Sequence, residues 1–266
     1  MAAANVAPVS RLDSETVRRA SAAWVWLPAG SRHVDTDYRL IDYPTWTGVG
    51  CQVTAIDSDR PAGVIVDEAL ERARTWDRTK LGWWVTESTR PAALVNTLRS
   101  RGAEDVLDLD VLALELADGV PDLGPTPGIT TERVLTRQQH LDADQVNVAV
   151  WNHEPISAER LQEQVDADFD AADIRVLARL DGEPVATGGC TVVDGVARLW
   201  GAATIEPARG RGGYRAVLRL RMQLAREIGA TLALVKGQVK TSAPILKRVG
   251  FAEHGRERLF QLPVID

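Results

Sequence analysis

At 266 residues, with 45% hydrophobic and 26% charged side chains, the chain is long enough to bury a sizeable core, as one large domain or two of ordinary size. A net charge of -6 speaks against a nucleic-acid binder, which normally carries a basic domain. The two cysteines, Cys51 and Cys190, are too far from each other and from paired histidines for a disulfide framework or a zinc site.

Two free thiols suit a reducing cytoplasm. The opening MAAANVAPVSRLD lacks the basic stretch and apolar core of a secretion signal. No apolar run approaches the ~20 residues that cross a bilayer. A cytoplasmic protein with no membrane partner is expected.

In SETVRRASAAWVWL, helical spacing follows Ser14, a residue type that caps helices. YRLIDYPTW and GVGCQVTAI read as strands. In PAGVIVDEALERARTW, Pro61 is tolerated at a helix start, and Val64, Ala69, Leu70 and Ala73 give an apolar face. LGWWVTE reads as a strand. STRPAALVNTLRSRG reads as a capped helix closed by Gly102. DVLDLDVLALEL alternates with period two, as a half-buried strand does. ADGVPDLGPTPG holds three prolines and three glycines and reads as a linker over 117–128.

Beyond it, LTRQQHLDADQVNVAVW and SAERLQEQVDADF read as helices, the second capped by Ser157. Asp181-Gly182 and Asp194-Gly195 each sit between strand-like runs, a hairpin signal that predicts three consecutive antiparallel strands. A helix from Gly212 to Ile228, the strand TLALVKG, the helix SAPILKRVG and the strand RLFQLPV complete the chain. The order strand–helix–strand–helix–strand recurs, over about 48–116 and 196–263, which points to a duplicated topology. Most of Trp24, Trp26, Trp46, Trp83, Trp84, Trp151 and Trp200 are expected in the core.

One stretch asks for a chemical reason. EPARGRGGYRAVLRLR, from Glu206 to Arg221, packs five arginines and three glycines into an acidic chain. Pro207 stops simple continuation of the preceding strand. Gly210, Gly212 and Gly213 let the backbone turn tightly and approach a ligand. A helix starts at once, and its first N–H groups and dipole favour phosphate. Arg209, Arg211 and Arg215 add charged donors. The spacing is not that of a Walker loop. The plainer alternative is a glycine turn followed by a solvated helix face.

With these residues in view, IEPARGRGGYRAVLRLRMQLAREIGATLALV resembles the acyl-CoA motif of the GNAT superfamily of N-acyltransferases. APILKRVGF resembles that family's short helix and closing Gly-Phe. The likeness covers about Ile129 to Pro263. It implies a tandem α/β fold, each unit a largely antiparallel twisted sheet flanked by helices. Residues 1–116 would be a degenerate unit without the motif, 117–128 a linker and 129–266 the catalytic domain. Arg209 and Gly212 take the motif's Arg and first Gly, and Gly213 takes the variable slot. The N–H groups from Arg209 to Tyr214 would hold the pyrophosphate of acetyl-CoA, with Gly210, Arg211 and Arg215 beside them. The pantetheine arm would lie between VARLWGAATI and TLALVKG. The Ile205 N–H would polarise the thioester carbonyl. Two positions depart from the pattern: Tyr214 replaces a small residue, and Leu246 stands where many members carry the tyrosine that protonates the thiolate.

The reaction implied is direct transfer of an acetyl group to an uncharged amine, which calls for a base. No carboxylate lies between Val196 and Thr204, where the family often places a glutamate. His153 and Glu154 are the candidate bases, with a loop or capping role as the plainer reading of His153. Asp166, Asp168 and Asp170 read as a solvated helix end, and Glu206 as a solvent-facing acid. Trp151 and Trp200 are candidates to flank the acceptor. Cys190 reads as core, not as a nucleophile. No metal is expected. A small amine is the expected acceptor, a cationic one given the acidic chain, in a monomer or homodimer. The alternatives are a protein amine as acceptor, or a non-catalytic acyl-CoA-binding protein.

Overall fold

The computed structural model describes residues 12–152, 154–166 and 172–264. In chain order the elements are α1 (Ser14–Ala22), β1 (Arg32–Asp35), β2 (Arg39–Asp42), β3 (Cys51–Thr54), α2 (Ala62–Thr75), β4 (Lys80–Thr86), α3 (Leu94–Ser100) and β5 (Glu104–Glu115). Then follow β6 (Ile129–Arg133), α4 (Arg137–Trp151), α5 (Ala158–Asp166), β7 (Asp173–Leu180), β8 (Glu183–Val193), β9 (Val196–Thr204), α6 (Gly213–Glu227), β10 (Leu232–Gln238), α7 (Ser242–Arg248) and β11 (Ala252–Pro263). The repeated order appears as β3–α2–β4–α3–β5 and β9–α6–β10–α7–β11.

The chain folds as two units. One contains Leu112–Lys236 and Ile245–Ala252, with the segment that ends at Val17; the other contains Arg18–Val111 and Gly237–Pro244, with the segment from Glu253 onward. Each is a mixed sheet flanked by helices. In the first, the strand order is β10-β9-β8-β7-β6, antiparallel except for the parallel pair β9–β10. In the second, the order is β1-β2-β3-β4-β11-β5, with β3–β4 parallel. The last strand therefore does not follow the sequence boundary at 117–128. β11 pairs with β4 from Glu257↔Thr86 to Pro263↔Lys80, so its hydrogen bonds tie it to the unit built mainly from the first half.

Local chemistry explains most elements. Both Asp-Gly pairs adopt positive φ at each residue (Asp181 52°, Gly182 88°, Asp194 50°, Gly195 73°), the turn whose twist matches paired strands. Thr136 and Gln139 close a capping box on α4. Four details differ from the sequence reading. Asp13, not Ser14, caps α1, its carboxylate accepting from the N–H groups of Glu15 and Thr16. Val64 is 49% exposed, while Ile65 and Val66 join Ala69, Leu70 and Ala73 against Leu40, Val53, Trp83 and Phe260. α3 starts at Leu94, beyond Pro91, and has no side-chain cap, because the residue before a proline is steered away from helical angles. Of the tryptophans, only Trp83 is fully buried, and Trp26, Trp46 and Trp151 are about half exposed.

Among the described residues no helix is long and apolar enough to cross a membrane.

Candidate functional site

The site begins where β9 leaves its parallel neighbour. The β9–β10 ladder runs from Val196↔Leu232 to Leu199↔Val235, yet β9 continues to Thr204 and β10 to Gln238. On its other edge β9 carries a bulge. Trp200 pairs with Gly189 and Ala203 with Thr187, so Gly201 and Ala202 face Gly188 alone. Gly201 takes φ 60°. A bulge bends and twists its strand, and this one lies at the point where the ladder with β10 stops. Beyond Leu199 and Val235 no ladder pair joins the two strands, and their unpaired ends bound a cleft.

The Ile205 N–H does not face that cleft. It donates to the Val185 carbonyl of β8 at 3.0 Å, so the sequence assignment of Ile205 as the thioester donor is corrected. Backbone N–H groups alternate sides along a strand. With Ile205 turned to β8, the Thr204 N–H points away from β8, toward the opening. Sequence reasoning missed Thr204 because the alternation depends on the register with β8.

After β9 comes a single 3-10 turn, Glu206–Ala208, with Pro207 inside it. Three N–H groups here are used by the turn itself: Ala208 donates to Ile205, Arg209 to Glu206 and Arg211 to Ala208. Gly210 (φ 76°) and Gly212 (φ 96°) turn the chain left-handed, and Gly212 is the N-cap of α6. The N–H groups of Gly210, Gly212, Gly213, Tyr214 and Arg215 have no acceptor among the described residues. Five open donors at the start of a 15-residue helix make an anion cradle of the kind helix N-termini supply. Arg209 and Arg211 are expected phosphate donors whose backbone N–H groups are instead occupied; both side chains are exposed, and the Arg209 Nε donates to the Thr204 carbonyl at 3.4 Å, which leaves its Nη groups outward.

The remaining arginines have other work. Arg215 donates to the Leu123 carbonyl at 3.3 Å, and Arg219 to the Gly124 carbonyl. The assignment of Arg215 to the ligand is therefore corrected: its guanidinium anchors the irregular segment 117–128. That segment also limits Gly212, where an added Cβ would sit 3.2 Å from Thr126 Cγ2. At Gly213 an added Cβ would come within 3.3 Å of Ala186 Cβ, so this glycine lets the helix pack closely on β8. Arg221 is 1% exposed and donates to the carbonyls of Gly189 (3.0 Å) and Trp200 (3.2 Å). It thus pins the bulge from beneath. Burial pushes its pKa down. Tyr214 is half-buried, and burial pushes its hydroxyl up.

On the opposite face lie α4 and α5. α4 ends at Trp151, which is 52% exposed, and Asn152 breaks the helix with φ 51°. Asp144 accepts from the Ile156 N–H at 2.9 Å and ties the following loop to α4. Glu154 is exposed on that loop. His153, Asp168 and Asp170 lie outside the described residues, and Asp166 is exposed at the end of α5. Trp200 is half-buried, and its indole N–H donates to Thr191 Oγ1 at 2.9 Å.

Two side chains are removed from the chemistry. Cys190 is fully buried, and burial pushes its thiol up to about 12, which leaves no thiolate near neutral pH. Leu246 is fully buried in the core. A cavity of about 430 Å³, lined by Gln223, Arg226 and Gly229 among others, lies at the far end of α6. A 15-residue helix is roughly 20 Å long, so that cavity is remote from the cradle.

Residues 138–251 match the acetyltransferase (GNAT) family, a span that includes the cleft, the cradle and α6. No curated protein matches the chain. Among solved structures, the fold is similar to a GCN5-related N-acetyltransferase from Kribbella flavida, with TM-score 0.70, 23% identity, and coverage of 93% of this chain and 95% of that one. A second, from Sphaerobacter thermophilus, gives TM-score 0.65 and 18% identity over 96% and 87%. A tandem GNAT protein from the clavulanic acid biosynthesis pathway gives 0.56 and 17% over 86% and 79%.

Proposed function

With a GNAT acetyltransferase domain at residues 138–251 as the premise, we propose that this protein moves an acetyl group from acetyl-CoA to the primary amine of a small molecule, by direct transfer in a ternary complex. The observation that carries the reading is the row of five open N–H groups from Gly210 to Arg215, next to the cleft between β9 and β10. Acetyl-CoA supplies an activated thioester. The cradle and the exposed guanidinium groups of Arg209 and Arg211 suit its pyrophosphate. The cleft suits an extended arm, and the Thr204 N–H is placed to donate to a carbonyl oxygen there. The buried, protonated Cys190 favours direct attack by the amine over a covalent enzyme intermediate. Glu154 remains the candidate base on the α4–α5 loop. The unit built mainly from residues 18–111 is read as a degenerate GNAT-like unit that lacks the acyl-CoA motif.

A second reading, a non-catalytic acyl-CoA-binding protein, is favoured by the buried Leu246, which leaves the thiolate without the tyrosine acid the family resemblance implies. Calorimetric titration with acetyl-CoA tests binding, and thiol release in the presence of amines separates the two readings. Gly210→Asp is the variant of choice: an added Cβ there meets nothing within 4 Å, and although φ 76° strains any side chain, Asp tolerates that region better than most residues, so its melting temperature is read beside its affinity. Gly212→Asp would collide with Thr126 and confuse folding with binding. Unimpaired binding by Gly210→Asp would remove the pyrophosphate from this turn.

A further inference from the structure

A row of three residues crosses the sheet on the face that carries α4 and α5. Arg175 of β7 pairs with Gly189 of β8, and Gly189 pairs with Trp200 of β9. Leu177, two residues from Arg175, packs against Ala143 and Val146 of α4, so Arg175 faces the same side. Gly188 faces Val217 and Arg221 of α6, which places Gly189 on the opposite face, with Arg175. The middle position must be glycine. A Cβ on Gly189 would lie 2.2 Å from the Trp200 ring, so the indole fills the space above β8. It thereby reaches Arg175, whose guanidinium carbon lies 5.7 Å from the ring centroid.

Arg175 is held in place without being neutralised by any described residue. One Nη donates to Gln164 at 2.8 Å, and its Nε and second Nη have no acceptor among the described residues. No carboxylate among the described residues comes within ion-pair distance. Asp144 and Asp173 attract it from farther away, and each already accepts a hydrogen bond, from the Ile156 N–H and from the Thr191 hydroxyl. A half-buried guanidinium with an aromatic face on one side and an open donor edge on the other matches a carboxylate, a planar acceptor of parallel N–H bonds. Trp200 is also the first β9 residue beyond the last ladder pair with β10, so the row ends at the cleft.

We propose that the acceptor is an amine that also bears a carboxylate, as an amino acid does, and that Arg175 is the specificity-determining residue that binds this carboxylate beside Trp200. The proposal rests on the transferase reading and replaces the expectation of a purely cationic acceptor. Net charge acts over the whole surface, whereas one desolvated guanidinium decides what fits at the cleft.

The test uses the full chain and matched acceptors. Thiol release from acetyl-CoA is followed with a panel of L-amino acids and their carboxamides, which differ only in the carboxylate. The expected result is a preference of about tenfold or more for at least one acid over its amide. That ratio falls to about one in Arg175→Met and is partly restored in Arg175→Lys, which keeps the charge. Melting temperature and acetyl-CoA titration of each variant separate misfolding from lost recognition. Amides used as well as acids overturns the proposal, as does an acid preference that survives in Arg175→Met, or no turnover of any acid by a chain that binds acetyl-CoA. Failure to bind acetyl-CoA instead overturns the transferase reading beneath it.

Discussion

Between β9 and α6 the backbone leaves five N–H groups open and two arginines exposed. Between β3 and α2, the equivalent place in the repeated order, the chain has filled the same ground with its own groups. Pro61, which has no N–H, is the N-cap of α2. Arg60 just before it donates to Asp37 at 2.7 Å and to Glu68 at 2.6 Å. Asp57 and Asp59 add negative charge, both paired with Arg90. The strands differ in the same sense. The β3–β4 ladder covers three of the four residues of β3, whereas the β9–β10 ladder covers four of the nine residues of β9. An added Cβ on Gly82 of β4 would meet the Gln52 side chain of β3 at 3.2 Å, so the two strands are in close contact at that pair. The same topology thus yields an anion cradle with a cleft in one place and a closed ion-pair network in the other. Topology supplies the helix N-terminus, and local side chains decide whether it is available.

Ligand stoichiometry is the strongest way to break this comparison. Calorimetry should give one acetyl-CoA per chain, and Gly210→Asp should weaken binding by roughly tenfold to a hundredfold. Two equivalents per chain would mean that the β3–α2 turn is not closed. Gly189→Ala comes next, because its Cβ cannot coexist with the present Trp200 ring position. A loss of about 1–3 kcal/mol in denaturant unfolding is expected, with a changed indole fluorescence. A stability equal to wild type would show that the ring is not fixed over β8.

The closed turn is sharpened by acid. Hydrogen bonding from Arg60 holds the Asp37 carboxyl well below the usual carboxylate range, against the opposing effect of burial. A carboxylate with a depressed folded pKa contributes stability that is present above its unfolded value of about 4 and is lost as pH falls below it toward the folded value. Melting temperatures between pH 7 and pH 3 should therefore fall less in Asp37→Asn than in wild type, by a few degrees. Arg60→Ala should lower the melting temperature while leaving acetyl-CoA affinity at its wild-type value, the reverse of Arg209→Ala with Arg211→Ala. The smallest effect concerns the thiols. Cys51 and Cys190 are both pushed up to about 12 by burial, so a thiol reagent at pH 8 should label neither until the chain is unfolded. Rapid labelling of the native protein would contradict their burial.

Much was legible in the residues. The Asp-Gly pairs specify their own backbone angles, so the β7–β8–β9 meander follows from short-range chemistry. The glycines at 210, 212 and 213 announce a tight turn at the start of the helix that follows. Which donors stay unpaired was not legible. The register with β8 gives the Ile205 N–H to the Val185 carbonyl, and the Arg215 guanidinium was drawn away by the Leu123 carbonyl, 92 positions distant. Val64 and most tryptophans were misplaced for a related reason: hydrophobicity alone does not say which face of an element finds a partner.

By itself the sequence determined most of the elements, their repeated order and the tight glycine turn before a helix, because these depend on φ preferences, caps and spacing within a few residues. Only the tertiary structure decided that β11 pairs with β4, that one helix start is open and the other sealed, and that Arg175 meets Trp200 across a glycine. Each of these is a contact between residues distant in the chain, and its sign depends on what else occupies the same space.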